Sequence, residues 1–160
     1  METKLQHLHG FLVDSLKGLV HQGKIHASQA GGKVIVDGED RGNEGYRIAY
    51  WQYDAGVLIE SFPHLKMDPK TLFAMLACWI NQFDGDRDVL DDLSDPEIEV
   101  EENNEATADV LIRITFAEQI EIVPDESGPI VWNSTRYKLN PVDIWVAEEA
   151  EITNDAGHYA

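Results

Sequence analysis

The sequence predicts an α+β fold, a mostly antiparallel sheet with two helices packed on one face. Three observations carry that prediction. Leucines recur at helical spacing near the start, an Asp-Pro pair opens a second amphipathic run, and β-branched segments follow one another too closely for helical crossovers between them. At 160 residues and 18.0 kDa the chain has the length of one domain, able to bury roughly 70% of its unfolded surface. Hydrophobic residues make up 43%, with four Trp, five Tyr and five Phe, which is enough apolar material to offset chain entropy. A single domain is expected over residues 1–146, with a C-terminal arm from about residue 127 and a frayed acidic tail over 147–160.

Leu5, Leu8, Leu12, Leu16 and Leu19 line one face of a helix expected from residue 3 to 20, with Lys4, His7, Asp14 and Lys17 between them. Lys33-Val34-Ile35-Val36-Asp37 reads as a short strand. Gly38 to Gly45, with three glycines and four charges, reads as a hairpin loop. Tyr46 to Tyr53 is a second strand, which Asp54-Ala55-Gly56 is expected to end. Asp68 before Pro69 gives an N-cap and a first-turn proline, and Leu72, Leu76, Trp79, Ile80 and Phe83 form the face of a second helix ending near Asp84-Gly85. Glu97–Glu101, Ala108–Phe116 and Gln119–Val123 then read as three closely spaced strands of an antiparallel meander.

Charge is concentrated in one part of the chain. Against 12 Lys plus Arg stand 30 Asp plus Glu, a net −18 that repels nucleic-acid phosphates and anionic lipid rather than binding them. Residues 1–83 carry nine acids and eight bases, 84–126 sixteen and two, and 127–160 five and two. The nearly neutral first half is therefore expected to hold most of the surface for the chain's own partners. Cys78, alone in Leu76-Ala77-Cys78-Trp79-Ile80, forms no internal disulfide and is expected in the core. Neither a signal-peptide centre nor a bilayer-spanning stretch is present in the sequence, so no membrane association is expected and synthesis in a reducing cytoplasm is.

Motifs that carry chemistry are scarce. Asp84, Asp86 and Asp88 alternate in a glycine-containing loop and begin like a calcium loop, but Val89, Asp91 and Asp95 stand where that motif needs Gly, an apolar residue and Glu. They read as a solvated acidic loop with only a weak metal candidacy. His7, His9, His21, His26, His64 and His158 never pair at zinc-ligand spacing, and one cysteine does not complete a tetrahedral site. Nucleophile elbows, phosphate loops and dinucleotide fingerprints are missing, so no catalytic residues and no cofactor are expected, and the chain is read as a non-enzyme. Trp132, Tyr137 and Trp145, spaced among polar residues and punctuated by Pro129 and Pro141, form a candidate interface on an arm or edge strand. Packing of these aromatics back onto their own sheet is the equal alternative.

Several short pieces, in order, carry a resemblance. Leu5-Gln6-x-Leu8-x-x-x-Leu12, Tyr46-Arg47 through Asp54-Ala55-Gly56, Leu76 to Gln82, Thr107 to Ile114 and Ala117-Glu118 together resemble the tail completion proteins of contractile-tailed temperate phages, the GpR family, over residues 3–125. The chain departs from that pattern at Gly10, inside the first helix, and after Pro141. The resemblance implies a tail-terminator-like fold in a virion tail protein, assembled in the host cytoplasm and acting late in tail assembly so that the tail joins a filled head. It implies a sixfold ring capping the head-proximal end of the tail tube, with the tube and head–neck proteins as partners. DNA would pass through such an assembly without specific binding, and the acidic 84–126 stretch suits the lining of that passage. The rival readings are an acidic inhibitor or immunity-like protein that binds a basic partner, and a calcium-binding regulatory domain.

Overall fold

The computed structural model describes residues 2–90 and 93–142. Two helices, α1 (Lys4–Ser15) and α2 (Pro69–Phe83), cover one face of a six-stranded sheet built from β1 (Ile25–Gly42), β2 (Gly45–Phe62), β3 (Glu97–Glu102), β4 (Ala108–Pro124), β5 (Ile130–Trp132) and β6 (Thr135–Asn140). Every pairing is antiparallel, in the order β1-β2-β4-β6-β5, with β3 also on β4. The α+β class read from the sequence is the class observed.

The two helices begin as their caps dictate. Thr3 accepts from the Gln6 amide and Gln6 accepts from the Thr3 amide, a reciprocal capping box that the sequence reading did not single out. Asp68 accepts from the Lys70 amide ahead of Pro69. The first helix stops at Ser15 rather than residue 20, because Gly18 turns left-handed at φ 90° and breaks the helical path. Leu16 is consequently the last buried leucine of the stripe; Leu19 is exposed and Val20 takes the inward position.

Several strands are longer than the expected ones, and two of the expected ones are a single strand. β1 and β2 form a single long hairpin, whose turn is Asn43-Glu44 with φ of 52° and 64°, the pairing of positive angles that a two-residue hairpin turn demands. The Gly38–Gly45 loop is thus mostly strand: an edge strand open to water on both faces tolerates glycine and charge there. Nor does Asp54-Ala55-Gly56 end β2. Ala55 faces the core, Asp54 accepts from Thr115 Oγ1 at 2.8 Å on the opposite face, and Gly56 sits between Ser28 and Leu111. The expected strands Ala108–Phe116 and Gln119–Val123 are one strand, β4, carried through Ala117-Glu118.

Tyr53, Val57, Ile59, Val110, Ile112 and Phe116 meet Leu8, Leu12, Leu72 and Trp79 across the sheet–helix interface. Burying each such side chain contributes about 1.5–3 kcal/mol. Trp79 meets Phe116 edge-on at 5.7 Å between ring centroids, while its indole N–H donates to His7 Nδ1 at 2.8 Å, which ties α2 to α1. Cys78 is exposed, contrary to the expectation. Two residues past Leu76 is about 200° round a helix, so the turn that points Leu72, Leu76 and Trp79 inward points Cys78 outward.

Candidate functional site

One edge of β4 is shared by two partners that leave a gap between them. β3 pairs with Ala108–Arg113 and β6 with Glu121–Pro124, so among the described residues the stretch from Ile114 to Ile120 has β2 on its inner side and no strand on this edge. Unpaired carbonyls on such an edge need donors. They come from side chains: Arg87 Nη2 donates to Thr115 O at 2.6 Å and Lys4 Nζ to Ala117 O at 2.7 Å. Each cation is balanced by carboxylates. Lys4 Nζ lies 2.7 Å from Asp84 Oδ1 and 3.0 Å from Asp86 Oδ2, and Arg87 Nε lies 3.1 Å from Asp84 Oδ2. The Asp84 side chain is fully buried and that of Lys4 nearly so.

The chain places both pairs there by local means. Asp84 caps the end of α2, its amide donating to Ile80 O, and the 3-10 turn Gly85–Asp88 swings Asp86 and Arg87 over the gap. Lys4 opens α1 and its own amide donates to Glu118 Oε2 at 3.0 Å. Glu118 also accepts from the Tyr53 hydroxyl, whose pKa is pushed far above the usual tyrosine range by burial and then by this carboxylate. Gln119 Nε2 completes the cluster, donating to Asp86 Oδ1 at 2.9 Å.

The acidic loop singled out in the sequence is therefore divided by the structure. Asp84 and Asp86 are brought together as counter-ions to Lys4 and Arg87, and Asp88 is exposed beyond them. Buried Asp84 is unable to line a passage for DNA, which corrects that expectation for this residue. Among the described residues no three His, Cys, Asp or Glu side chains converge as metal ligands. Lys4, Arg87, Tyr53 and Glu118 were missed by motif reasoning. The available signal was Arg87 itself, one of two bases in a stretch of sixteen acids.

The C-terminal aromatics form a second feature. β5 and β6 make a hairpin turned at Asn133-Ser134, with φ of 49° and 62°. Tyr137 is buried and Trp132 half-buried. Trp132 meets Tyr46 edge-on at 4.8 Å, and Tyr137 lies 6.3 Å from the same ring. These two side chains are thus packed on β2, while Trp145 lies outside the described residues. Of the histidines, His7 holds Trp79, His9 donates to Ile25 O at 2.8 Å, His21 caps the turn Gln22–Lys24 and His26 pairs with exposed Glu60. His158 lies outside the described residues.

The face of the sheet away from the helices carries a concavity of about 460 Å³ bordered by Ser28, Asp54, Gly56, Glu97, Arg113 and Thr115. Two of its charged groups are engaged at the rim, Arg113 with Glu99 at 2.8 Å and Asp54 with Thr115.

Residues 2–141, nearly the whole chain, match the family described as P2 phage tail completion protein R (GpR). The chain belongs to that family. It is also similar to an uncharacterised 19.2 kDa protein from the rep-hol intergenic region of Haemophilus phage HP1 (strain HP1c1), at 26% identity over 154 residues, covering 96% of this chain and 91% of the phage protein. No solved structure matches. Family membership supports a phage tail completion role and a place among the structural components of the tail. No helix among the described residues is long and apolar enough to cross a membrane.

Proposed function

We propose that this protein acts late in tail assembly, capping the head-proximal end of the tail tube and preparing it to receive a filled head. The observation that carries the reading is the family match from residue 2 to 141, which takes in both helices and all six strands. The fold suits a structural part. Long sheet edges stand open beside a rigid two-layer core, as assembly by strand-to-strand contact requires. Copies joined head to tail through such edges close into a ring when the rotation between them divides a full turn. Its partners are then further copies of itself, the tube and the neck, and it works without catalytic residue or cofactor.

Electron microscopy of an induced prophage lysate with this gene deleted tests the reading. Separate filled heads beside unjoined or overlong tails, restored to whole virions by complementation, are the expected result; overlong tails identify the capping step. Normal virions from the deletion strain overturn it and favour an acidic protein that binds a basic partner.

A further inference from the structure

We propose that β1 of one copy pairs with β3 of a second copy, extending the sheet from molecule to molecule through the segments Gly32–Val36 and Glu97–Glu102. Among the described residues neither strand has a partner on its outer edge. The two facing segments, Gly32–Val36 and Glu97–Glu102, are opposite in charge. From Ser15 to Val36 the chain has no acid at all, yet carries Lys17, Lys24 and Lys33, in a protein with 30 carboxylates. β3 carries Glu97, Glu99, Glu101 and Glu102 and no base.

Strand direction and side-chain facing agree with the charge. β1 and β4 run one way and β2 and β3 the other. A copy related by rotation about an axis along the strands therefore brings β1 antiparallel to β3 without reversing either. Val34 and Val36 are 58% and 82% exposed, and stand opposite Trp51 and Ala49 on the helix-covered side of the sheet. Val100, 58% exposed, and Ile98 lie on that same side, opposite Val110 and Ile112. Lys33 faces the other side, as do Glu97, Glu99 and Glu101.

Registers that keep the faces matched differ by steps of two residues. Setting Val34 against Val100 also sets Val36 against Ile98 and Lys33 against Glu101. A slip of two either way loses one apolar pair. The segment is bounded by bulges at Gln29/Gly32 and Val36/Glu39, which twist the rest of the edge away and confine pairing to a window one residue shorter than β3.

This inference rests on the self-association in the reading above, but its test uses purified protein, so it stands or falls apart from the lysate phenotype. In a Cys78→Ser background, Val34→Cys and Val100→Cys are made in separate full-length chains, mixed and oxidised. Directly opposed strand residues lie within disulfide range. A cross-link between the two chains is expected, and none between Val34→Cys and Val131→Cys on the β5 edge. By sedimentation, Lys33→Glu should weaken association about tenfold or more, and adding Glu101→Lys should restore it. The substituted positions 33, 34 and 101 are exposed, and unchanged circular dichroism verifies folding. A protein monomeric up to its solubility limit, a cross-link at Val131 instead of Val100, or association indifferent to Lys33→Glu overturns the proposal.

Discussion

Lys4 Nζ touches a backbone carbonyl and two carboxylates at 3.0 Å or less, with almost no water around it. Replacing it by methionine keeps most of the volume but strands Asp84 inside the protein, a change that typically costs about 3–5 kcal/mol. Urea unfolding of Lys4→Met should show a loss of that order, and a loss below about 1 kcal/mol would mean that water reaches the cluster. Asp109 poses a different case. Its Oδ1 accepts from Asn103 Nδ2 and from the Ser61 amide, and these bonds hold its pKa below the usual carboxylate range. The stabilisation is present above the unfolded value of about 3.9 and is lost as pH falls through the lower folded value. Urea midpoints of Asp109→Asn and the parent should therefore differ at neutral pH and converge under acid. Neither role shows in a motif: a lysine among leucines and an aspartate in a strand look like ordinary solvated charges until the fold brings up Asp84 and Ala117 for the one and Asn103 and Ser61 for the other.

Helices were more legible than strands, for a physical reason. A helix carries its own periodicity, caps and stops within a dozen residues, so Asp68-Pro69 and the leucine stripe from Leu5 to Leu16 lie where the sequence predicts them. Even so, the sequence predicts α1 too long, because its stripe continues to Leu19 in the sequence while Gly18 ends the helix in space. A strand's limits depend on its neighbours. β1 persists through glycines and charges because β2 pairs with it, and β4 crosses Ala117-Glu118 because Lys4 and Arg87 satisfy its outer edge. Two substitutions test the local part. Gly10 lies inside α1 with open space where a methyl would go, so Gly10→Ala should raise stability by about 0.5–1 kcal/mol. Glu44 holds a left-handed conformation in the β1–β2 turn, so Glu44→Gly should raise it by roughly 1 kcal/mol. Thermal or urea midpoints check both.

At the scale of the molecule, the class of fold and its family were readable because they rest on element order and spacing, which sequence retains. The ion cluster was not, since it joins Lys4, near the start of the described chain, to residues 84–119. Net charge belongs to this scale too. At −18 the protein repels duplex DNA, so electrophoretic mobility shift should show no retarded complex even at low salt, where adhesion is strongest; a retarded band would remove the idea that DNA slides past it. Exposed carboxylates such as Asp88 and Glu105, not Asp84, remain available to face a passage.

The stopper on β4 also sets an order of events during synthesis. Lys4 and the Ala117 carbonyl it covers are 113 residues apart, so the ribosome makes the plug long before its socket. Throughout that interval the lysine waits in solution, and once the socket strand emerges its bare carbonyls can recruit a strand from another nascent chain before the plug is seated. Crowded polysomes making a Lys4-deficient variant should accordingly deliver aggregate in preference to soluble protein, even under conditions in which the purified variant, refolded at high dilution, recovers its native form.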